Sequence, residues 1–331
     1  MGSTLRRPRA EVADVGQVTP IFLLSLPRSG STLLQRLLAT APEVSTASEP
    51  WILLPLLYAL RPSGAAAEYD HRVMTQGVHD LLAQVPNGRA LYLAEVRRLA
   101  LDLYAAAAAP GSRFFVDKTP RYHLIAADLL EMFQDAPFAV LWRNPLAVVA
   151  STVENWADGR WAVHRWHVDL YEGVANLVRI VEEHPSRIAI ARFEDLVADP
   201  DGELARLRSE MALPPGAGPA DLRTAPALTG GLGDRDGASS EAVSAEPLER
   251  WKRTLSNPVR KAWCRRYLAW IGRERLAVMG YELDELLHDL EAVPTTSRMT
   301  FSDLYRLARG SGVRRLRTMA HRDVEGSALL R

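Results

Sequence analysis

The sequence predicts an α/β protein, a doubly wound parallel sheet of about five strands flanked by helices, and three observations carry that expectation. Apolar runs of strand length recur along the 331 residues. They are continuously apolar, as strands buried on both faces must be, rather than alternating like strands with one wet face. Helical patterns separate them, so strand and helix take turns as in right-handed βαβ units.

In chain order, residues 21–26 (Ile-Phe-Leu-Leu-Ser-Leu) form the first run and feed Pro27-Arg28-Ser29-Gly30-Ser31-Thr32, after which Leu33, Leu34, Leu37 and Leu38 mark a helix over 31–39. Residues 44–47 read as a weaker strand, and 113–116, 138–142 and 188–191 as three more. Helical patterns cover 122–133, 145–156 and 161–183. Between 50 and 112 lies a helical insertion with Val78, Leu81 and Leu82, then Leu91, Val96, Leu99 and Leu103, at helical spacing; its expected place is beside the sheet's active edge. Across 214–247 the composition shifts to Gly, Pro, Ala, Ser and Asp, which reads as a mobile loop or lid, and helices resume at Leu248. Residues 1–19 read as a flexible N-terminus. Residues 291–331 read as a helical extension whose Arg306, Arg309, Arg314, Arg315 and Arg317 form a solvated face.

A hydrophobic content of 47% suits a large core. Forty basic residues balance 40 acidic ones, so bulk electrostatics argues against nucleic acid or an anionic membrane as partner. The one cysteine, Cys264, excludes an internal disulfide framework and a Cys-based zinc site and suits a reducing compartment. The polar N-terminus does not resemble a secretory leader, and the longest apolar stretch, 51–60, is short for a membrane span and contains Pro55. A soluble, cytoplasmic protein without a membrane span is expected.

In open α/β sheets ligands bind beyond the carboxyl ends of the strands, so the residues that follow each run carry the functional signal. The first delivers Arg28 and the hydroxyl-rich loop, the second Glu49, the third Asp117-Lys118-Thr119, the fourth Arg143-Asn144-Pro145 and the fifth Arg192-Phe193-Glu194-Asp195. The first loop is P-loop-like in outline: backbone amides at a helix start, a glycine whose bare backbone lets an oxyanion approach, and the hydroxyls of Ser29, Ser31 and Thr32. It departs from G-x-x-x-x-G-K-[ST], because Ser25 stands at the first glycine and Ser31 at the lysine. That weakens an ATPase reading and shifts the loop charge to Arg28, suited to a phosphate or sulfate. Arg143-Asn144-Pro145 follows helix-start logic, with Ser151 about two turns along, and offers a second phosphate site.

At this point the chain resembles the sulfotransferases that use 3′-phosphoadenosine 5′-phosphosulfate (PAPS), over nearly its whole ordered length, with a catalytic domain spanning 20–290. Pro27-Arg28-Ser29-Gly30-Ser31-Thr32 looks like the family's 5′-phosphosulfate loop, and Arg143 with Ser151 like its 3′-phosphate site. Arg192-Phe193-Glu194-Asp195-Leu196 is similar to an R-Y-E-D-L segment, with Phe193 replacing tyrosine and still offering an aromatic face near adenine. Arg250-Trp251-Lys252 resembles a late R-W-[RK] element that follows a loop here represented by Gly233-Asp234. Arginine in the first loop looks closer to the tyrosylprotein and bacterial carbohydrate branches, whose glutamate base falls at Glu49.

The resemblance implies sulfuryl transfer from PAPS to a hydroxyl of a carbohydrate, glycolipid or secondary metabolite, releasing 3′-phosphoadenosine 5′-phosphate (PAP) without a metal. Arg28 and the loop hold the 5′-phosphosulfate, Lys118 or Arg28 neutralises the bridging oxygen, and Arg143 and Ser151 hold the 3′-phosphate with Arg250 or Lys252 closing over it. Glu49 takes the acceptor's proton unless it is a solvated helix-start carboxylate or the partner of Arg28, and His123 is the alternative base. Trp51, Trp156, Trp161 and Trp166 are expected around the acceptor, although the last two sit at core-like spacing. His164 and His167, one turn apart, lack a nearby third ligand in sequence for a metal. The alternatives are a P-loop-like small-molecule kinase, for which the missing loop lysine is unfavourable, and a non-catalytic nucleotide-binding regulatory protein.

Overall fold

The computed structural model describes residues 17–216, 218–228 and 241–308. Five strands form one all-parallel sheet in the order β2-β3-β1-β4-β5: β1 Thr19–Ser25, β2 Val44–Thr46, β3 Phe114–Asp117, β4 Phe138–Trp142 and β5 Ile188–Arg192. All five expected runs are strands, displaced at most by a few residues at their ends. Their continuous apolarity has its cause in two separate cores. Phe22, Leu24, Phe115, Phe138 and Val140 pack on one face; Ile21, Leu23, Val116, Ala139 and Leu141 pack on the other. Each fully buried large side chain contributes about 1.5–3 kcal/mol of transfer free energy.

Helices cover both faces. On the first lie α2 (Leu53–Tyr58), α4 (Gly88–Ala107), α5 (Ala126–Met132), α6 (Pro145–Ala157), α7 (Gly173–Glu183) and two later helices, α11 (Pro258–Val278) and α12 (Leu283–Ala292). On the second lie α1 (Ser31–Leu38), α8 (Phe193–Ala198) and α9 (Pro200–Glu210). α3 (His71–Ala83) pairs with α4 in the insertion, and α10 (Glu246–Thr254) packs against α6. Cys264 lies fully buried in the first core, and burial pushes its thiol up, out of the reactive range.

Three expectations are corrected. The face of α4 that packs is Leu93, Val96, Ala100 and Tyr104, while Leu91, Leu99 and Leu103 are exposed, as is Leu81 on α3. The helix carries two apolar stripes, and sequence spacing does not distinguish which one meets the core. The pattern at 122–133 is split by Ile125 (φ −121°) into a 3₁₀ turn, Pro120–Leu124, and α5. The pattern at 161–183 becomes a 3₁₀ turn, Val163–Trp166, a π turn, Val168–Glu172, and α7.

The described part of the 214–247 segment is tied down at Leu222, whose carbonyl accepts from Arg36 Nη2 on α1 at 3.0 Å. Gly233 and Asp234 lie outside the described residues, as do the tail arginines beyond Arg306. A helical turn over 300–308 is anchored by Asp303, fully buried, which accepts from Arg260 Nε and Asn257 Nδ2 at 2.7 Å each. No helix among the described residues is long and apolar enough to cross a membrane.

Candidate active site

The register aligns the carboxyl ends of the central strands, pairing Ser25 with Leu141 and Trp142 with Arg192, so the loop after β1 lies beside the residues that follow β4 and β5. That loop turns sharply. Arg28 (φ 67°) and Gly30 (φ 87°) both occupy the left-handed region, and Gly30 caps α1. Glycine is required at 30 on a second ground, because a Cβ there would stand 2.2 Å from Cδ2 of the Phe193 ring.

The two arginines assigned to separate phosphates form one hydrogen-bonded set. Arg28 Nε donates to Ser151 Oγ at 3.2 Å, and Arg143 Nη1 donates to the Arg28 carbonyl at 2.9 Å. Arg143 Nη2 reaches the Pro247 carbonyl at the start of α10, 2.8 Å away, and its guanidinium sits 4.5 Å above the Phe193 ring. Asn144 caps α6 through Leu146 N at 2.9 Å, as its sequence position implied. Glu194 fixes the same corner, accepting from Asn144 N and from the Tyr281 hydroxyl at 2.9 and 2.6 Å.

Arg28, Gly30, Arg143, Ser151, Phe193 and Pro247 line a cavity of about 230 Å³ together with Thr32, Asn155, Arg250 and Trp251. Three arginines, Arg28, Arg143 and Arg250, line it beside the N-terminus of α1, where the helix dipole is positive. Glu154 also lines it and accepts from the Thr254 hydroxyl, and Glu246 is paired with Arg250 at 2.7 Å. Pro27, Ser29 and Ser31 shape the loop without lining the cavity, and the side chains of Ser29 and Ser31 are buried. Lys252 faces solvent, paired with Glu249 and 5.9 Å from the Trp251 ring, so the structure does not bring it into the cavity. Phe193 lines the cavity with Arg143 over its ring and Gly30 against its edge, so the ring is also a platform for the arginine.

Behind Thr32 stands a second polar group. Lys118, at the end of β3 and 1% exposed, donates to Glu49 Oε1 at 2.8 Å and lies 3.5 Å from Thr32 Oγ1. The other carboxylate oxygen, Oε2, accepts from the Trp51 indole at 3.0 Å. Glu49 is therefore neither a solvated carboxylate nor the partner of Arg28; it is clamped between Lys118 and Trp51. His123 is sealed in the interior, its Nε2 3.5 Å from Asp169, and does not reach the cavity. Burial alone would raise the Asp169 carboxyl, but His123 and the bidentate Arg121, at 3.0 Å through both contacts, outweigh it and hold it below the usual carboxylate range.

Of the tryptophans, Trp51 is half-buried beside Glu49, Trp161 is fully buried in the core, and Trp156 is exposed and packs in a tilted pair with Trp166, centroids 5.9 Å apart. His167 stacks on Tyr171 at 4.4 Å, and among the described residues no three His, Cys, Asp or Glu side chains gather as a metal site. Sequence reasoning missed the clasp from Arg143 to Pro247, the Glu194 brace and the cage around Asp117. The last left one signal, an acidic residue ending an otherwise apolar strand.

A model of the sulfotransferase family matches residues 20–214, more than half of the chain. The chain belongs to the sulfotransferase family. Nodulation protein NoeE of Sinorhizobium fredii is 28% identical over 88% of this chain and 74% of its own. Omega-hydroxy-beta-dihydromenaquinone-9 sulfotransferase Stf3 of Mycobacterium bovis is 28% identical over 29% of this sulfotransferase and 28% of its own length. Among solved structures, the sulfotransferase domain from the curacin biosynthetic pathway has a TM-score of 0.47 at 20% identity, covering 73% of this chain and 97% of that one. Mouse sulfotransferase SULT7A1 complexed with PAP gives 0.46 at 11% identity, covering 81% and 88%.

Proposed function

We propose that this sulfotransferase takes its sulfuryl group from PAPS and delivers it, by in-line displacement, to a hydroxyl of a carbohydrate, glycolipid or secondary metabolite. One observation carries the reading: Arg28, Arg143 and Ser151 converge on a single cavity at the mouth of the sheet, with the Lys118–Glu49 pair immediately behind Thr32. Arg143, Ser151 and Arg250 would hold the 3′-phosphate, each charge-assisted hydrogen bond being worth about 1.5–3 kcal/mol. Arg28, Gly30, Thr32 and the first-turn amides of α1 would hold the 5′-phosphosulfate. Stf3 is named for an omega-hydroxylated acceptor, which fits the same class of nucleophile.

In this scheme Lys118 works in two settings. Without donor its charge is matched by Glu49. When the sulfonate arrives beside Thr32, Lys118 and Arg28 neutralise charge growing on the bridging oxygen, and the carboxylate released from Lys118 accepts the acceptor's proton, a step worth roughly 10²- to 10⁴-fold in rate. No metal enters the scheme. The test is transfer of label from [³⁵S]PAPS to a panel of glycans, glycolipids and hydroxylated small molecules by wild type, Glu49→Gln and Lys118→Ala. Transfer by wild type with losses of at least a hundredfold in both variants supports the reading; full activity in both variants discards these roles.

A further inference from the structure

Asp117 ends β3 fully buried, yet it touches neither the cavity nor Arg28. Its carboxylate instead organises two arms. Through Oδ1 it accepts from the Thr119 hydroxyl at 3.1 Å, and the Thr119 oxygen in turn accepts from the Trp51 backbone N–H at 3.3 Å. Through Oδ2 it accepts from the Tyr122 hydroxyl at 3.1 Å, whose oxygen accepts from Leu53 N–H at 3.3 Å; the Tyr104 hydroxyl adds a 2.5 Å contact to Oδ2. The arms grip residues 51 and 53, just past Glu49. Between them Trp51 adopts φ 57°, a left-handed conformation that an aromatic side chain keeps only when its surroundings impose it. In that conformation its indole donates to Glu49 Oε2.

We propose that Asp117 is a positioning residue for the Glu49 base, acting through the Thr119 and Tyr122 hydroxyls to lock the turn at Trp51. The inference rests on Glu49 being the base. Hydrogen-bond polarity gives the mechanism. A hydroxyl has one proton, and an ionised carboxylate accepts that proton in both arms, leaving each oxygen to accept from a backbone amide. A protonated Asp117 must donate at one oxygen, which reverses one arm and strands a buried polar group.

The groups facing Asp117 are Tyr104 from α4, Tyr122 from the 3₁₀ turn, the Thr119 hydroxyl and the adjacent Lys118. Burial pushes its carboxyl up to about 6 against the opposing pull of the hydroxyls and Lys118, so the ionised, locking state predominates at neutral pH and is lost as pH falls through that value.

The test compares wild type with Thr119→Val, Tyr122→Phe, Asp117→Asn and the conservative Thr119→Ser. The decisive readout is amide exchange by mass spectrometry in the peptide covering residues 49–53. Exchange should accelerate at least tenfold in Thr119→Val and Tyr122→Phe and stay near wild type in Thr119→Ser. With PAPS and the acceptor found by the screen, kcat should fall at least tenfold in Thr119→Val while PAP affinity by calorimetry is unchanged. The acid limb near pH 6 should vanish in Asp117→Asn. Unchanged exchange in both arm variants overturns the proposal whatever their rates. Wild-type kcat in both, beside an inactive Glu49→Gln, overturns the relay and leaves the base in place. Full activity of Glu49→Gln removes the base itself, and this role of Asp117 with it.

Discussion

Gly30→Ala tests the geometry of the donor loop with a single added carbon. The backbone there has φ 87°, which costs an L-residue about 1–2 kcal/mol. The new Cβ would lie 2.2 Å from Phe193 Cδ2 and 2.4 Å from Cε2, and moving the ring by roughly 1.3 Å is needed to restore ordinary carbon–carbon contact. Overpacking of this kind adds about 1–3 kcal/mol. The displaced ring is the one beneath Arg143, 4.5 Å from its guanidinium, so the arginine loses its platform and its aim. A total destabilisation of about 2–5 kcal/mol corresponds to a fall in Tm of roughly 3–7 °C for a chain of this size. PAP affinity by calorimetry should fall by at least tenfold. In a double-mutant cycle Phe193→Ala removes the clash but not the backbone strain, so Gly30→Ala should cost about 1–3 kcal/mol less in that background than in wild type. A Gly30→Ala protein with wild-type Tm and PAP affinity, or additive effects in the cycle, would refute the account of the loop.

The remaining predictions are simpler. Arg143→Ala should weaken PAP far more than adenosine 5′-phosphate, measured by calorimetry; equal losses would remove the 3′-phosphate assignment. Asp303→Ala leaves Arg260 buried without its carboxylate and should lower unfolding free energy by about 3–5 kcal/mol in urea titrations, whereas Arg265→Ala, which breaks an exposed pair with Glu291, should cost under about 1 kcal/mol. Asp117 makes stability pH-dependent. Its folded value of about 6 exceeds the unfolded one near 3.8, so its contribution is fully present below pH 4 and lost as pH rises through 6, a swing of about 3 kcal/mol. Denaturation of wild type and Asp117→Asn at pH 4.5 and 7.5 should show about 2 kcal/mol of that swing between the two proteins, with wild type relatively weaker at the higher pH.

The sheet was legible because buried parallel strands leave unmistakable apolar runs, and their carboxyl ends announced Arg28, Lys118, Arg143 and Phe193 in chain order. What the residues do to one another was less so. Glu49 and Lys118 are 69 positions apart, and only the pairing of β2 with β3 makes them neighbours. Lys252 read as a closing cation through the Arg250-Trp251-Lys252 element, yet two positions along a helix turn it about 200° from Arg250, and of the three only Arg250 and Trp251 line the cavity. His123 follows Lys118 by five residues, but the 3₁₀ turn at Pro120–Leu124 directs it inward to Asp169. The exposed leucines of α4 illustrate the same limit: periodicity finds an amphipathic helix and leaves its rotation to the partner it meets.

A lone, sealed thiol makes this molecule unusually easy to instrument. With Cys264 inert in the interior, a cysteine introduced at Ser244, on the rim of the cavity beside α10, would be the sole site for a maleimide dye in the native protein. Fluorescence from that position would then follow nucleotide arrival and departure in real time, without first stripping the background of native sulfur.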